Sequence, residues 1–282
     1  MIDGLEMIEV IQQNICNKEE NMDTTIKKIV YYNEDKLLLL DFKKKLSNDF
    51  ELYLTHTFSL LLSLLERIVP DLILLDYDMK SEEGIDIIRL IKSNKFLKST
   101  PVIFFTELRE NKSIIKGLGQ GAIDFIYKPF TEERLIEIVD IYLNPDKMND
   151  YKPKILAVDD NPTLLKLLGH HLSSQYRVFT ISDPENIDQF LQNVTPDLIL
   201  LDYHMPVING LELIIKLRAT AEFATIPIIF KTSESKAEKI KGAMEQGASD
   251  YLIKPVHETV LRERIATHIA ETMMKRNIVD IY

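Results

Sequence analysis

The eight residues PDLILLDY occur at Pro70–Tyr77 and again at Pro196–Tyr203, and the offset of 126 brings other separated stretches into register without a gap. Lys28-Ile29 falls on Lys154-Ile155, Met79 on Met205, Gly84 on Gly210, Pro101 on Pro227 and Thr106 on Thr232. Further on, Gly121-Ala122 falls on Gly247-Ala248, Asp124 on Asp250, and Lys128-Pro129 on Lys254-Pro255. A period of this length far exceeds that of stacked solenoid repeats, so it predicts two whole domains of one fold. A chain of 282 residues agrees, since domains average roughly 150 residues.

Within each copy short apolar runs alternate with helical patterns. In the second, KILAV, RVFTI, DLILLD, IPIIFKT and DYLI read as strands. NPTLLKLLGHHL reads as a helix capped by Asn161 with Pro162 at its first position, and KAEKIKGAMEQG as a helix stopped by Gly247. DLILL is apolar on both faces, which suits a parallel strand covered by helices on each side. The expected class is α/β: two doubly wound, five-stranded parallel-sheet, flavodoxin-like domains in tandem. Expected boundaries are an extension over 1–25, a first domain over 26–144, a short polar linker over 145–153, and a second domain over 154–282. The last of these ends in a long helix whose Leu261, Ile265, Ile269 and Met273 recur every fourth residue. That stripe is expected to pack on its own domain rather than on a second helix.

A formal net charge of −10 argues against direct nucleic-acid binding, which needs clustered Lys and Arg against phosphates. Cys16 is the sole cysteine, so no internal disulfide forms and a reducing compartment is expected. No apolar run has the length of a membrane span, and the first residues lack a secretion-signal pattern. The expectation is a cytoplasmic, acidic protein.

The polar residues that could carry chemistry stand at strand ends. Asp159-Asp160 close the first strand of the second copy, Asp202 the third, Thr232 the fourth and Lys254 the fifth. In a sheet of this order the first and third strands are neighbours, so three carboxylates converge. They would repel unless a cation intervened, and an oxygen-only donor set favours Mg²⁺ or Mn²⁺. One lysine and one hydroxyl at the same spot suit a phosphoryl group, with Asp202 as the natural nucleophile.

The pattern VDDNP…LLDYHMPVINGLEL…PIIFKTS…GASDYLIKP closely resembles the receiver domain of bacterial two-component response regulators, from Lys154 to about His268. The resemblance implies that Asp202 accepts phosphate from a cognate histidine kinase or phosphotransfer protein. It implies that Asp160, Asp202 and the backbone carbonyl of His204 hold Mg²⁺, with Asp159 assisting through water. Thr232, Ser233 and Lys254 would face the phosphoryl group, and Tyr251 matches the aromatic residue that turns inward on phosphorylation.

The first copy keeps Asp76, Thr106 and Lys128 but departs elsewhere. Asn33-Glu34 replaces the acidic pair, Lys36 and Lys80 replace prolines, Glu107 stands where Ser233 does, and Phe125 replaces the aromatic switch residue. Asn33 should weaken metal binding, Glu34 reaches a methylene further, and Asp78 could compensate as a ligand. The expectation is a degenerate receiver serving as an adaptor or dimerisation module beside an intact one. Such pairs resemble the regulatory halves of some diguanylate cyclases, and an output domain would then lie outside this sequence. A homodimer through receiver faces is expected. The rival class is a haloacid-dehalogenase-type phosphohydrolase, suggested by Asp76-x-Asp78. In that family the motif ends the first strand, and the second copy breaks it at His204.

Overall fold

The computed structural model describes residues 26–46, 49–76, 82–106, 111–206, 208–233 and 237–279; the expected extension with Cys16 lies outside them. Strands β1 (Lys28–Asn33), β2 (Glu51–Thr55), β3 (Leu72–Asp76), β4 (Val102–Thr106) and β5 (Asp124–Tyr127) form one sheet, in the order β2-β1-β3-β4-β5. Strands β6 (Lys154–Val158), β7 (Arg177–Ile181), β8 (Leu198–Asp202), β9 (Ile228–Thr232) and β10 (Asp250–Ile253) repeat that order as β7-β6-β8-β9-β10. Every pairing is parallel, so the expected class holds. The repeated PD has a physical role in both sheets. Asp71 accepts the Lys28 N–H at 2.9 Å and Asp197 the Lys154 N–H at 2.7 Å, which pins the start of the first strand to the third.

The first sheet carries α1 (Lys36–Leu46), α2 (Phe58–Leu65), α3 (Glu82–Ser93), α4 (Asn111–Gly119) and α5 (Glu132–Leu143). After α6 (Pro145–Tyr151), the second sheet carries α7 (Pro162–Leu172), α8 (Ile187–Leu191), α9 (Gly210–Ala219), α10 (Ala237–Glu245) and α11 (Glu258–Val279). As expected, Asn161 caps α7, accepting from the N–H groups of Thr163 and Leu164 with Pro162 in the first turn. Asn144-Pro145 is the same signal, and it turns most of the expected linker into helix α6. Tyr151 of that helix packs edge-on against Tyr142, anchoring α6 to the first domain. No described helix is long and apolar enough to cross a membrane.

The expectation for the last helix needs correction. Leu261, Ile265, Ile269 and Met273 are buried, but so are Ala266, Ala270 and Met274 on a neighbouring stripe. With two apolar stripes, α11 serves its own sheet and also lies along α4 of the first domain. Gly119 of α4 faces Glu263 and Ala266. One continuous apolar core therefore runs from Val30, Ile73 and Phe104, through Leu118 and Ile269, to Ile155 and Leu200. Polar groups close its edge. The Gln175 amide donates to the carbonyls of Leu118 and Ala122, each at 2.9 Å, and accepts from Arg262 at 2.6 Å.

Gly210 fixes the loop that follows β8. Its N–H donates to the Tyr203 carbonyl at 3.0 Å, and a Cβ there would stand 2.5 Å from the Asp202 carbonyl oxygen. A Cβ on Gly169, in α7, would meet nothing within 4 Å. Gly210→Ala should therefore destabilise by about 1–3 kcal/mol through overpacking, whereas Gly169→Ala should stabilise by about 0.5–1 kcal/mol through helix propensity. Shifts of the urea midpoint in opposite directions check this; equal shifts would mean that the loop relaxes freely.

Candidate functional site

The carboxyl ends of β6, β8, β9 and β10 meet at one edge of the second sheet. Asp159, one residue past β6, is fully buried, and Asp202, the last residue of β8, is 3% exposed. Asp160 faces solvent. The three side chains each offer an oxygen, and these atoms all lie within 4.8 Å of one another. Two ammonium groups enter the cluster. Lys254, beyond β10, sits 2.8 Å from Asp202 Oδ1 and 3.9 Å from Asp159 Oδ2. Lys231, within β9, sits 2.7 Å from Asp159 Oδ2. Asp159 Oδ1 accepts the Asn161 N–H at 3.0 Å, so the residue that caps α7 also orients the first carboxylate.

Thr232 is buried at the end of β9, and its carbonyl accepts the Lys254 N–H at 2.8 Å. This bond sets where the lysine leaves the sheet. Ser233 is exposed next to Thr232. His204 is exposed on the loop after β8, its ring edge-on to Tyr203 at 4.9 Å. Tyr251 is 37% exposed, its ring 6.0 Å from that of Phe230, so it lies on the surface rather than in the pocket. An oxygen-only set of three carboxylates, two buried and one open to solvent, fits a hard divalent cation such as Mg²⁺ or Mn²⁺.

The first domain brings its counterparts to the same edge but joins them differently. Asn33 Nδ2 donates to Asp76 Oδ2 at 2.7 Å, and Lys128 Nζ stands 2.5 Å from Asp76 Oδ1. Tyr31 adds its hydroxyl at 3.4 Å from Asp76 Oδ2, while accepting from Asn33 at 2.9 Å. Burial pushes the Tyr31 hydroxyl far above its ordinary pKa, Asn33 opposes that shift and Asp76 adds to it, so the phenol remains a proton donor. Asp76 is thus surrounded by donors. Glu34 is exposed, its carboxylate 3.3 Å from the Tyr32 hydroxyl. Thr106 and Phe125 are buried, whereas Asp78, Lys80 and Glu107 lie outside the described residues.

Two residues at these pockets escape a reading based on strand ends. Lys231 is the penultimate residue of β9, and Tyr31 stands two before Asn33 where the second copy has Ala157. The available signal was a lone charge inside the apolar IIFKT, at the position that Phe105 occupies in the other copy.

Comparison with known proteins identifies the same two units. The response regulator receiver domain matches at residues 34–140 and again at 155–266. Protein RcaC of Microchaete diplosiphon is 30% identical over 173 residues, which are 58% of this chain and 25% of RcaC. The response regulator PleD of Caulobacter vibrioides is 24% identical over 232 residues, 74% of this chain and 51% of PleD. Among solved structures, chemotaxis protein CheY4 of Vibrio cholerae is 30% identical, with a TM-score of 0.39 over 40% of this chain and 96% of CheY4. The chain thus spans about half or less of these two curated relatives. Two matched segments that together cover well over half of the sequence place this chain in the response regulator receiver family, as a tandem pair.

Proposed function

We propose that the second domain accepts a phosphoryl group on Asp202 in a divalent-cation-dependent reaction, and that the first is an adaptor in which this chemistry is suppressed. The observation that carries the reading is the difference between the pockets: three clustered carboxylates with Lys254 in one, and an amide and a phenol bonded to Asp76 in the other. Asp160, Asp202 and the His204 carbonyl would hold Mg²⁺ or Mn²⁺, with Asp159 assisting through water. Such an ion, when bound, neutralises charge on phosphoryl oxygens. An Asp202 carboxylate oxygen attacks phosphorus of a phosphohistidine. The O–P bond forms as the N–P bond breaks, and the electron pair stays on the departing imidazole, which then takes up a proton. Lys254 and the Thr232 hydroxyl offer a charge and a donor to the phosphoryl oxygens as they reorganise.

Tyr251 is the candidate reporter of that event, its ring exchanging the surface for the pocket as Thr232 shifts. It shares the β10–α11 face with Ile253 and Val260, exposed by 46% and 42%, which supports homodimerisation there. The first domain, bound along α4 to the helix that follows β10, supplies the fixed side of the switch. The donor to Asp202 is a histidine kinase or phosphotransfer protein, and the output of the pair is an effector such as a diguanylate cyclase domain or a separate partner.

Incubation with Mg²⁺ and acetyl phosphate, followed by intact mass, should add one phosphate to wild type and to Asp76→Asn and none to Asp202→Asn. A second phosphate, or one surviving in Asp202→Asn, would overturn the adaptor reading; repeated turnover of a phosphoester would favour a phosphohydrolase instead. Lys254→Met should slow labelling by about a hundredfold, the usual cost of one charge-stabilising donor. Asn33→Asp should place a carboxylate against Asp76 and cost about 1–2 kcal/mol in chelator. Mg²⁺ should restore that loss in thermal melts, and melts insensitive to Mg²⁺ would show that Asn33 is not what keeps the ion out.

A further inference from the structure

β9 holds one charged side chain, behind the apolar Ile228, Ile229 and Phe230, and its surroundings are built for a charge. Lys231 is 5% exposed and pairs with Asp202 in the register of β8 and β9. Its Nζ stands 2.7 Å from Asp159, a buried carboxylate. A buried ammonium and a buried carboxylate are each costly alone and persist together. Lys254 does not replace this contact, since it pairs with Asp202 and stays 3.9 Å from Asp159. The first domain is an internal control. At the matching positions both charges are absent together: Asn33 stands for Asp159 and Phe105 for Lys231. Phe105 packs its ring against Tyr31 at 5.5 Å and Phe130 at 4.9 Å.

We propose that Lys231 is a resident counter-ion of the second pocket, competing with divalent cations for Asp159. The proposal rests on the acceptor reading of Asp202 and adds a determinant to it. With Lys231 and Lys254 present, three carboxylates retain one unit of negative charge; without Lys231 they would retain two. The pocket is therefore held together before any divalent cation arrives. Such a cation gains the water-mediated support of Asp159 only by sharing that carboxylate with the ammonium or displacing it. The consequence is a raised threshold: the domain becomes competent for phosphoryl acceptance at higher free Mg²⁺ than the same carboxylates would need alone. Phe105 could not act in this way, and in the first pocket Asn33 leaves it no charge to offset.

The test is Mn²⁺ binding to the full chain, with free Mn²⁺ counted by electron paramagnetic resonance and no phosphodonor present. Lys231→Met removes the charge while keeping the side-chain length. Lys231→Gln also removes it but keeps a hydrogen-bond donor toward Asp159, so the two variants preserve different features of the native side chain. Both should bind Mn²⁺ at least about tenfold more tightly than wild type, the order expected for removing a unit charge a few ångströms from the ion. Lys231→Arg, which keeps the charge, should stay close to wild type. Unchanged or weaker binding in the Met and Gln variants, with wild type still binding Mn²⁺ and taking phosphate on Asp202, would overturn the proposal alone. No binding to any of the proteins, with no phosphate on Asp202, would overturn the proposal and the acceptor reading together.

Discussion

The edge of a parallel sheet that gathers strand-end carboxylates cannot exist without something to offset their repulsion, and much of the site follows from how each domain meets that demand. In a medium less polarisable than water, like charges a few ångströms apart cost several kcal/mol unless compensated. The second domain keeps Asp159, Asp160 and Asp202 together and sets two lysines among them. The first removes one carboxylate and surrounds Asp76 with an amide, a phenol and a lysine. Both are stable ways to finish the same sheet edge. Among the described residues only the second edge leaves a cluster of acceptors for a cation, and the proposed division of roles rests on that asymmetry.

The second organising contact is α11. A helix with a single apolar stripe serves one core; α11 has two, and its second is spent on α4 of the neighbouring domain. Arg262 and Gln175 close the margin by satisfying backbone carbonyls at the ends of α4 and α7. Because α11 follows the strand that carries Tyr251, the proposed rearrangement at β10 would bear directly on the contact with the first domain. Coupling between the copies then needs no long chain of intermediaries, because one rigid element belongs to both.

How much of this could be read in advance depended on whether the signal was local. The 126-residue register, the strand-end aspartates and the capping Asn161 are properties of short segments, and the fold places them as their spacing implied. Lys231 was missed because a charge near a strand terminus is ordinarily solvated, and its partner lies 72 residues away. Tyr31 was missed because an aromatic in a strand usually means packing, and only the fold shows its hydroxyl turned toward Asp76. The linker helix was legible in Asn144-Pro145 but was outweighed by the polar run that follows. The second stripe on α11 is built partly of alanines, which carry little weight in a periodicity count although they allow close approach between helices.

The shared core also bears on how such a chain can change over generations. Duplication yields two equal modules, each able to be lost, shuffled or replaced. Once α11 seals the neighbour's α4, that freedom ends: a foreign receiver inserted at either position would have to present a matching helix face, and a receiver removed would leave an apolar seam in water. The pair is then inherited as a single piece. Under that constraint a first copy that gave up its chemistry would still be held in place, because its removal would expose the shared core.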